Sequence, residues 1–225
     1  MATTAIQGQK RALRKIVSAS LKSLSQSQIQ HQSKVVTDAI VNSTMFQTSK
    51  CISCYLSMPK GELDTGPLVS AILAAGKILY VPKLDTSDSS HPRMDMLRVY
   101  DQSDLDSFPS GLWGIREPPY ERSRKPRSNA LDADQQLDLI IVPGVAFDTS
   151  MGRLGHGKGY YDSFITEYIA NTGRSRPFLV ALALNEQVLQ EQNVPMISGH
   201  DWSMDCIVRS DGILDPNNLL GCPTH

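Results

Sequence analysis

The sequence predicts an α/β domain: a mostly parallel, open sheet flanked by helices on both faces, with a helical extension at the N-terminus. Three observations lead there. Short apolar runs rich in β-branched residues recur at 50–56, 77–82, 137–144 and 177–184. Segments with apolar residues at helical spacing alternate with these runs, which is the pattern of a parallel sheet covered on both sides. At 137–171 a strand, a glycine-rich loop and a helix follow one another, the unit from which Rossmann-like three-layer domains are built. The 225 residues suit one large domain, at roughly 150 residues per domain. Residues 1–225 are accordingly read as a single unit, with 1–8 and 212–225 as frayed tails.

Taken in order, residues 9–24 carry apolar side chains at 13, 16, 17, 21 and 24, a helical spacing. A second helix runs from a cap at Ser25 or Ser27 to Val41. The first strand, 50–56, ends in a loop containing Ser57, Met58 and Glu62. A helix over 63–75 stops at Gly76, and a second strand, 77–82, ends at Lys83. Residues 84–93 are polar loop, and 94–100 alternates as a third strand. The stretch 118–134 has a disorder-like composition, and its cations Arg122, Arg124, Lys125 and Arg127 read as a solvated loop. Strands at 177–184 and 206–209 complete the sheet. In such sheets ligands gather at the carboxyl ends of strands. The ends at Ser57-Met58, Pro82-Lys83, Pro143-Gly144 and Glu186-Gln187 are therefore expected to converge on one crevice.

The glycine loop is the most informative stretch. Glycines at 152, 155, 157 and 159 lead into Tyr160, Tyr161 and Asp162. Backbone N–H groups and the positive end of a helix dipole then point at one spot, which suits a phosphate. Gly152-x4-Gly157-Lys158 fits the first seven positions of a P-loop, but Gly159 stands where a magnesium-binding Ser or Thr is needed. The spacing Gly155-x-Gly157-x-Gly159 is one residue short of the dinucleotide pattern. Arg153 and Lys158 add cations. Asp162 fits either as an acid favoured in a helix's first turn or, beside a phosphate, as a ligand of a bridging Mg²⁺.

Composition excludes several classes. No apolar run approaches the roughly 18 residues of a membrane span, and no secretory h-region follows Met1. Net charge is −1, which argues against general nucleic-acid binding. All 23 acids lie beyond residue 37, whereas residues 1–37 hold Lys10, Arg11, Arg14, Lys15, Lys22 and Lys34. That basic segment fits a solvated helix face, a mitochondrial presequence, or a source of cations for an anionic ligand. Cys51 and Cys54 lie on a strand, where residues three apart face oppositely. With no second C-x-x-C, all four cysteines read as free thiols of a reducing compartment.

Together these residues carry a resemblance. Lys10-Arg11-Ala12-Leu13-Arg14, Leu56-Ser57-Met58 with Glu62, Met94-Asp95-Met96, Trp113, Pro143-Gly144 with Phe147-Asp148, the run from Gly152 to Asp162, and Asp201-x3-Asp205 occur in this order. The chain so resembles the eukaryotic 5-formyltetrahydrofolate cyclo-ligases, also called 5,10-methenyltetrahydrofolate synthetases. The resemblance implies ATP- and Mg²⁺-dependent cyclisation of 5-formyltetrahydrofolate, with or without a polyglutamate tail, to 5,10-methenyltetrahydrofolate. It implies ATP contacts from Lys10, Arg11, Ala12, Leu13 and Arg14, and from Arg153, Leu154, Gly155, His156, Gly157, Lys158, Gly159, Tyr160 and Tyr161. It implies Mg²⁺ on Asp162 and Asp205. The folate would lie against Leu56, Met58, Glu62, Trp113, His156, Gly157, Lys158, Gly159 and Tyr160, with Lys158, Tyr160 and Arg153 catalytic. A carboxylate at Glu62 suits the two adjacent N–H donors of a pterin edge. His156 stands where related animal enzymes have Arg, so nucleotide affinity is expected to depend more on pH. Residues 59–61 resemble an insertion ahead of Glu62. The resemblance implies a cytoplasmic monomer acting on small molecules, without nucleic-acid or membrane partners. A competing reading is a folate store without turnover, and another is a P-loop-like ATPase, against which Gly159 argues.

Overall fold

Two crossovers running in opposite directions decide where a ligand can sit. In the computed structural model, which describes residues 2–59, 61–85, 93–111, 114–132, 136–172, 175–190 and 193–218, β1 (Cys51–Cys54) pairs in parallel with both β2 (Ile78–Asp85) and β6 (Leu139–Val142). From β1 the chain passes through helix α4 (Gly66–Ala74) to β2 on one side. From β6 it passes through α6 (Tyr160–Thr172) to β9 (Phe178–Leu182) on the other, and then to β11 (Cys206–Arg209). Right-handed crossovers leaving in opposite directions place α4 and α6 on opposite faces. The gap beyond the carboxyl ends of β1 and β6 is therefore the switch point of the sheet.

The sheet has seven strands, in the order β12-β11-β9-β6-β1-β2-β3. Its two edges, β3 (Arg93–Val99) and β12 (Gly212–Leu214), are antiparallel to their neighbours. The central strands read CISC and LIIV and are buried at every position, as a strand covered on both faces must be. Core residues include Ile52, Leu79, Ile140, Val180 and Ile207, all fully buried. Cys51, Cys54 and Cys206 are buried and in no disulfide among the described residues, and Cys222 lies outside them.

Helix α1 spans Ala2–Leu21 and buries Leu13, Val17 and Leu21, so residues 2–8 are helical rather than frayed. Helix α2 (Gln26–Val41) starts at Ser25, whose hydroxyl accepts the Gln28 N–H while the Gln28 side chain reaches back to the cap. A short α3 (Thr44–Thr48) and α5 (Gln102–Asp106) were not apparent in the sequence pattern.

Two further expectations are corrected. Of the stretch 118–134, the described residues 118–132 are structured, with a small hairpin of β4 (Glu121–Arg122) and β5 (Lys125–Pro126). Arg127 is not solvated: it is 5% exposed and donates to both oxygens of Asp104, at 2.6 and 3.0 Å. Polar pairing holds this segment, as where Asn129 donates to Asp95 at 2.9 Å, and composition does not reveal that. The C-terminal stretch likewise contributes strand β12 rather than only a tail.

Candidate active site

The glycine loop is set by a hairpin that the sequence pattern does not show. Strands β7 (Ala146–Asp148) and β8 (Arg153–Leu154) pair antiparallel, and β10 (Val188–Leu189) joins β7 in parallel. Asp148 organises the turn: its Oδ1 accepts the N–H groups of Ser150 and Gly152, each at 2.8 Å. The chain then crosses the loop to α6. Gly157 has φ +102° and Gly159 has φ +71°, where a side chain is strained. At Gly157 a Cβ would also stand 3.2 Å from the guanidinium carbon of Arg14.

On one side of this loop lies an open cavity of about 820 Å³. Lys10 and Arg14 reach it from α1, Arg153 from β8 and Lys158 from the loop itself, with Gly155, Gly157 and Gly159 forming its edge. Arg14 donates from Nε to the Gly155 carbonyl at 2.8 Å. Lys10 is 6% exposed and pairs with Asp201 at 2.5 Å. Arg153 donates from Nη2 to Asp162 Oδ2 at 2.6 Å and from Nη1 to the Pro143 carbonyl at 3.2 Å. Lys158 is exposed and has no ion pair among the described residues. Four cations, with the acids Asp162, Glu167 and Asp201, stand beside the N-terminus of a 13-residue helix, an arrangement suited to an anion.

On the other side lies a cavity of about 580 Å³ with apolar walls, including Leu21, Leu24 and Ile29. Its polar groups are Glu62, Gln187, His156 and the backbone at Gly144 and Val145, with Ser18, Lys22 and Gln26 where α1 gives way to α2. Glu62 is 8% exposed and accepts the Met58 N–H at 2.8 Å. Burial pushes its carboxyl up to about 7, against which the Met58 N–H pulls down. Gln187 donates to the Gly144 carbonyl at 2.7 Å. Burial and the charges of Arg14 and Arg153 hold the His156 imidazole below its ordinary value. The loop thus serves both cavities, His156 facing one and its flanking glycines the other.

The predicted residues separate accordingly. Lys10, Arg14, Arg153, Leu154, Gly155, Gly157, Lys158, Gly159 and Asp162 line the cationic cavity, and Met58, Glu62 and His156 the apolar-walled one. Arg11 and Ala12 face solvent, and Leu13 is core. Tyr160 is half-buried against the core, and Tyr161 is buried with an unpartnered hydroxyl. Leu56 lines a separate cavity of about 330 Å³ with Thr65 and Arg116. Trp113 lies outside the described residues. Lys83 pairs with Glu117 at 2.7 Å and lines neither cavity, so three of the four expected strand ends converge rather than four. Asp205 is taken by Arg176, at 2.8 and 3.0 Å, and by the Leu179 N–H, away from the cationic cavity. The acids that stand in the cavity wall with Asp162 are Asp201 and Glu167, the latter 3.8 Å from Arg93. Nothing local in the sequence distinguishes Asp201 from Asp205 until the loop after Val194 is placed.

A model of the 5-formyltetrahydrofolate cyclo-ligase family matches residues 6–210, nearly the whole of both cavities' walls. The chain belongs to the 5-formyltetrahydrofolate cyclo-ligase family. It is an enzyme, a ligase of one-carbon folate metabolism. A Caenorhabditis elegans protein named as a probable 5-formyltetrahydrofolate cyclo-ligase is 37% identical over 205 residues, covering 91% of this chain and 94% of its own. An Arabidopsis thaliana relative named as the mitochondrial 5-formyltetrahydrofolate cyclo-ligase is 32% identical over 216 residues, covering 92% and 76%. The solution structure of the Aquifex aeolicus 5,10-methenyltetrahydrofolate synthetase superposes with a TM-score of 0.68 at 29% identity, covering 91% of each chain. The expected α/β architecture is the fold of these family members.

Proposed function

We propose that this enzyme uses ATP to cyclise 5-formyltetrahydrofolate to 5,10-methenyltetrahydrofolate, releasing ADP and phosphate. One observation carries the reading: a single glycine loop lines a cationic cavity on one side and an apolar-walled cavity with a buried carboxylate on the other. A triphosphate in the first and a reduced pterin in the second would meet across that loop. An N-formyl carbonyl is a poor electrophile and its oxygen a poor leaving group. Transfer of the terminal phosphoryl group to that oxygen, attack by N10 on the formyl carbon and departure of phosphate give the cyclic product. Such a transfer asks a protein mainly for positioning and charge neutralisation. Arg14, Arg153 and Lys158 with the loop N–H groups supply the second, and Glu62 with the Gly144 backbone the first.

The residues present fit a nucleotide-bound magnesium ion. Among the described residues there is no cluster of three or more His, Cys, Asp or Glu, so an all-protein cage is not built here. Mg²⁺ needs only one or two carboxylates when phosphates complete its shell. Asp162 and Asp201, which line the cationic cavity, would hold it, and Asp205, which lines neither cavity, would not. When bound, the ion neutralises charge on the phosphate oxygens. We also place the enzyme in the cytosol, because Lys10 and Arg14 are built into the cavity and a cleaved presequence would remove them. The helices themselves are not long and apolar enough to cross a membrane among the described residues.

The test is direct. Purified protein with ATP, Mg²⁺ and 5-formyltetrahydrofolate, under mildly acidic reducing conditions, is expected to build up methenyl folate absorbance with one ADP per turnover. Tight folate binding with no ADP would instead indicate a store, and ADP release without folate a simple ATPase.

A further inference from the structure

Two of the polar groups of the apolar-walled cavity, Glu62 and Gln187, come from separate loops, and both loops are tied to the same helix. Helix α2 buries two adjacent polar side chains, Gln32 and Ser33, which are 7% and 2% exposed. Ser33 Oγ accepts the Asp64 N–H at 2.9 Å and donates to the Ile29 carbonyl at 2.7 Å. Asp64 lies two residues beyond Glu62 in a loop closed at its base, where Ser57 N–H donates to Thr65 Oγ1 at 3.1 Å. Gln32 accepts the Asn185 N–H on Oε1 at 2.8 Å and donates from Nε2 to Glu186 at 3.1 Å. The next residue, Gln187, accepts the Leu184 N–H and donates to the Gly144 carbonyl. Neither Gln32 nor Ser33 lines the cavity. An apolar residue at either position would pack α2 against the sheet without the desolvation that a buried amide or hydroxyl carries. What these two polar side chains add is register between the loops.

We propose that Ser33 and Gln32 are positioning residues for folate recognition: Ser33 sets the backbone that presents the Glu62 carboxylate, and Gln32 sets the turn that presents Gln187 and, through it, the Gly144 carbonyl. This rests on the reading of that cavity as the pterin site. A carboxylate that receives two parallel N–H groups works only within a few tenths of an ångström, so its supporting bonds decide its strength. α1 and the glycine loop hold the cationic cavity independently of α2, so the nucleotide is indifferent to these two residues.

The experiment compares wild type, Ser33→Ala, Ser33→Thr, Gln32→Met and Glu62→Gln by substrate kinetics and by calorimetric titration with 5-formyltetrahydrofolate. Ser33→Ala and Gln32→Met are expected to raise KM and Kd for the folate about tenfold, the effect of losing one well-placed hydrogen bond. KM for ATP should change less than twofold, and Ser33→Thr, which keeps the hydroxyl, should restore folate binding. Ser33→Ala combined with Glu62→Gln should bind no more weakly than Glu62→Gln alone, because Ser33 acts through Glu62. The proposal is overturned if both KM values rise together, if the double variant is fully additive, or if folate binding is unchanged. Wild type that binds folate without forming methenyl product would end the functional reading, while the Kd ratios would still decide this one.

Discussion

Asp162 Oδ2 accepts a hydrogen bond from Arg153 Nη2 at 2.6 Å, and this pair closes the glycine loop into a ring between strand β8 and helix α6. The other oxygen of Asp162 accepts the Trp202 N–H at 3.0 Å, pinning the ring to the segment that carries Asp201. Arg153 is almost wholly buried here, its side chain 4% exposed against 18% for Asp162. Asp162 therefore orients one cation of the cationic cavity while presenting a carboxylate to it. Asp162→Asn should destabilise the protein by about 2 kcal/mol, since it leaves a buried guanidinium without its counter-charge. It should also raise the magnesium concentration needed for half-maximal rate by tenfold or more. Asp201→Asn should move the same magnesium titration, and Asp205→Asn should leave it in place. A shift from Asp205→Asn alone would return the metal to the assignment made from sequence.

Lys158 differs from the other three cations in being exposed and unpaired among the described residues. Removing it takes no interaction from the folded protein, so Lys158→Ala should melt within about 0.5 kcal/mol of wild type, as ordinary surface substitutions do. Its charge is nonetheless held over the helix N-terminus where phosphate charge would develop. The rate constant should fall by about 100-fold or more, as when a single electrostatic donor to a transition state is lost. Unchanged turnover with intact folding would remove Lys158 from the site.

Glu62 gives the enzyme a pH dependence of predictable sign. Its carboxyl titrates near 7 when folded, raised by burial from an ordinary 4.5. The folded state therefore prefers the protonated acid. The resulting stability is fully present below the unfolded value and is lost as pH rises from 4.5 through 7, a loss on the order of 3 kcal/mol. Pterin N–H groups need the opposite form, the carboxylate. Folate affinity should thus fall as pH drops below 7, and binding at pH 6.5 should release a proton, measurable by calorimetry in buffers of different ionisation heat. Glu62→Gln should flatten both profiles, bind folate about 10- to 100-fold more weakly, and be the more stable protein at pH 8. A pH-independent folate Kd in wild type would contradict this.

How much of this was legible beforehand depended on the range of the signal. The glycine loop, the strands on either side of it and the Ser25 cap are local, and periodicity and turn chemistry recover them. Gly157 and Gly159 could be read because positive φ needs glycine. The β7–β8 hairpin was missed because two- and three-residue strands leave no pattern. Arg127 looked solvated because its partner, Asp104, lies 23 residues away. Leu56 and Asp205 show the limit of carrying roles along a sequence. Asp205 and Asp201 are four residues apart, yet one turns to Arg176 at the foot of β9 and the other to Lys10 on α1. Only the packing of α1 across the sheet makes that distinction.

The N-terminal helix separates the cytosolic reading from a presequence. α1 supplies Lys10 and Arg14 to one cavity and Ser18 and Leu21 to the other, and it buries Leu13 and Val17. Deleting residues 1–20 should abolish activity and lower the melting temperature by about ten degrees or more, since three apolar side chains, at roughly 1.5–3 kcal/mol each, lose their burial or their support. A truncated protein as active as the full chain would show that the segment is dispensable, as a targeting peptide is.

Gly157 tests whether the two cavities communicate through the loop. Its φ of +102° is strained for any other residue, and an added Cβ would meet the Arg14 guanidinium at 3.2–3.5 Å. Gly157→Ala should therefore cost about 1 kcal/mol of stability from backbone strain. It should also push Arg14 off the Gly155 carbonyl, because the guanidinium is the part of the contact able to move. KM for ATP should rise more than tenfold. His156 precedes Gly157 and lines the apolar-walled cavity, so displacement of the loop should also raise KM for 5-formyltetrahydrofolate, by a smaller factor. An Arg14→Ala background relieves the clash and should shrink the effect of Gly157→Ala to that of strain alone. If Gly157→Ala weakens ATP equally in both backgrounds, the contact with Arg14 is incidental and the glycine serves only the backbone turn.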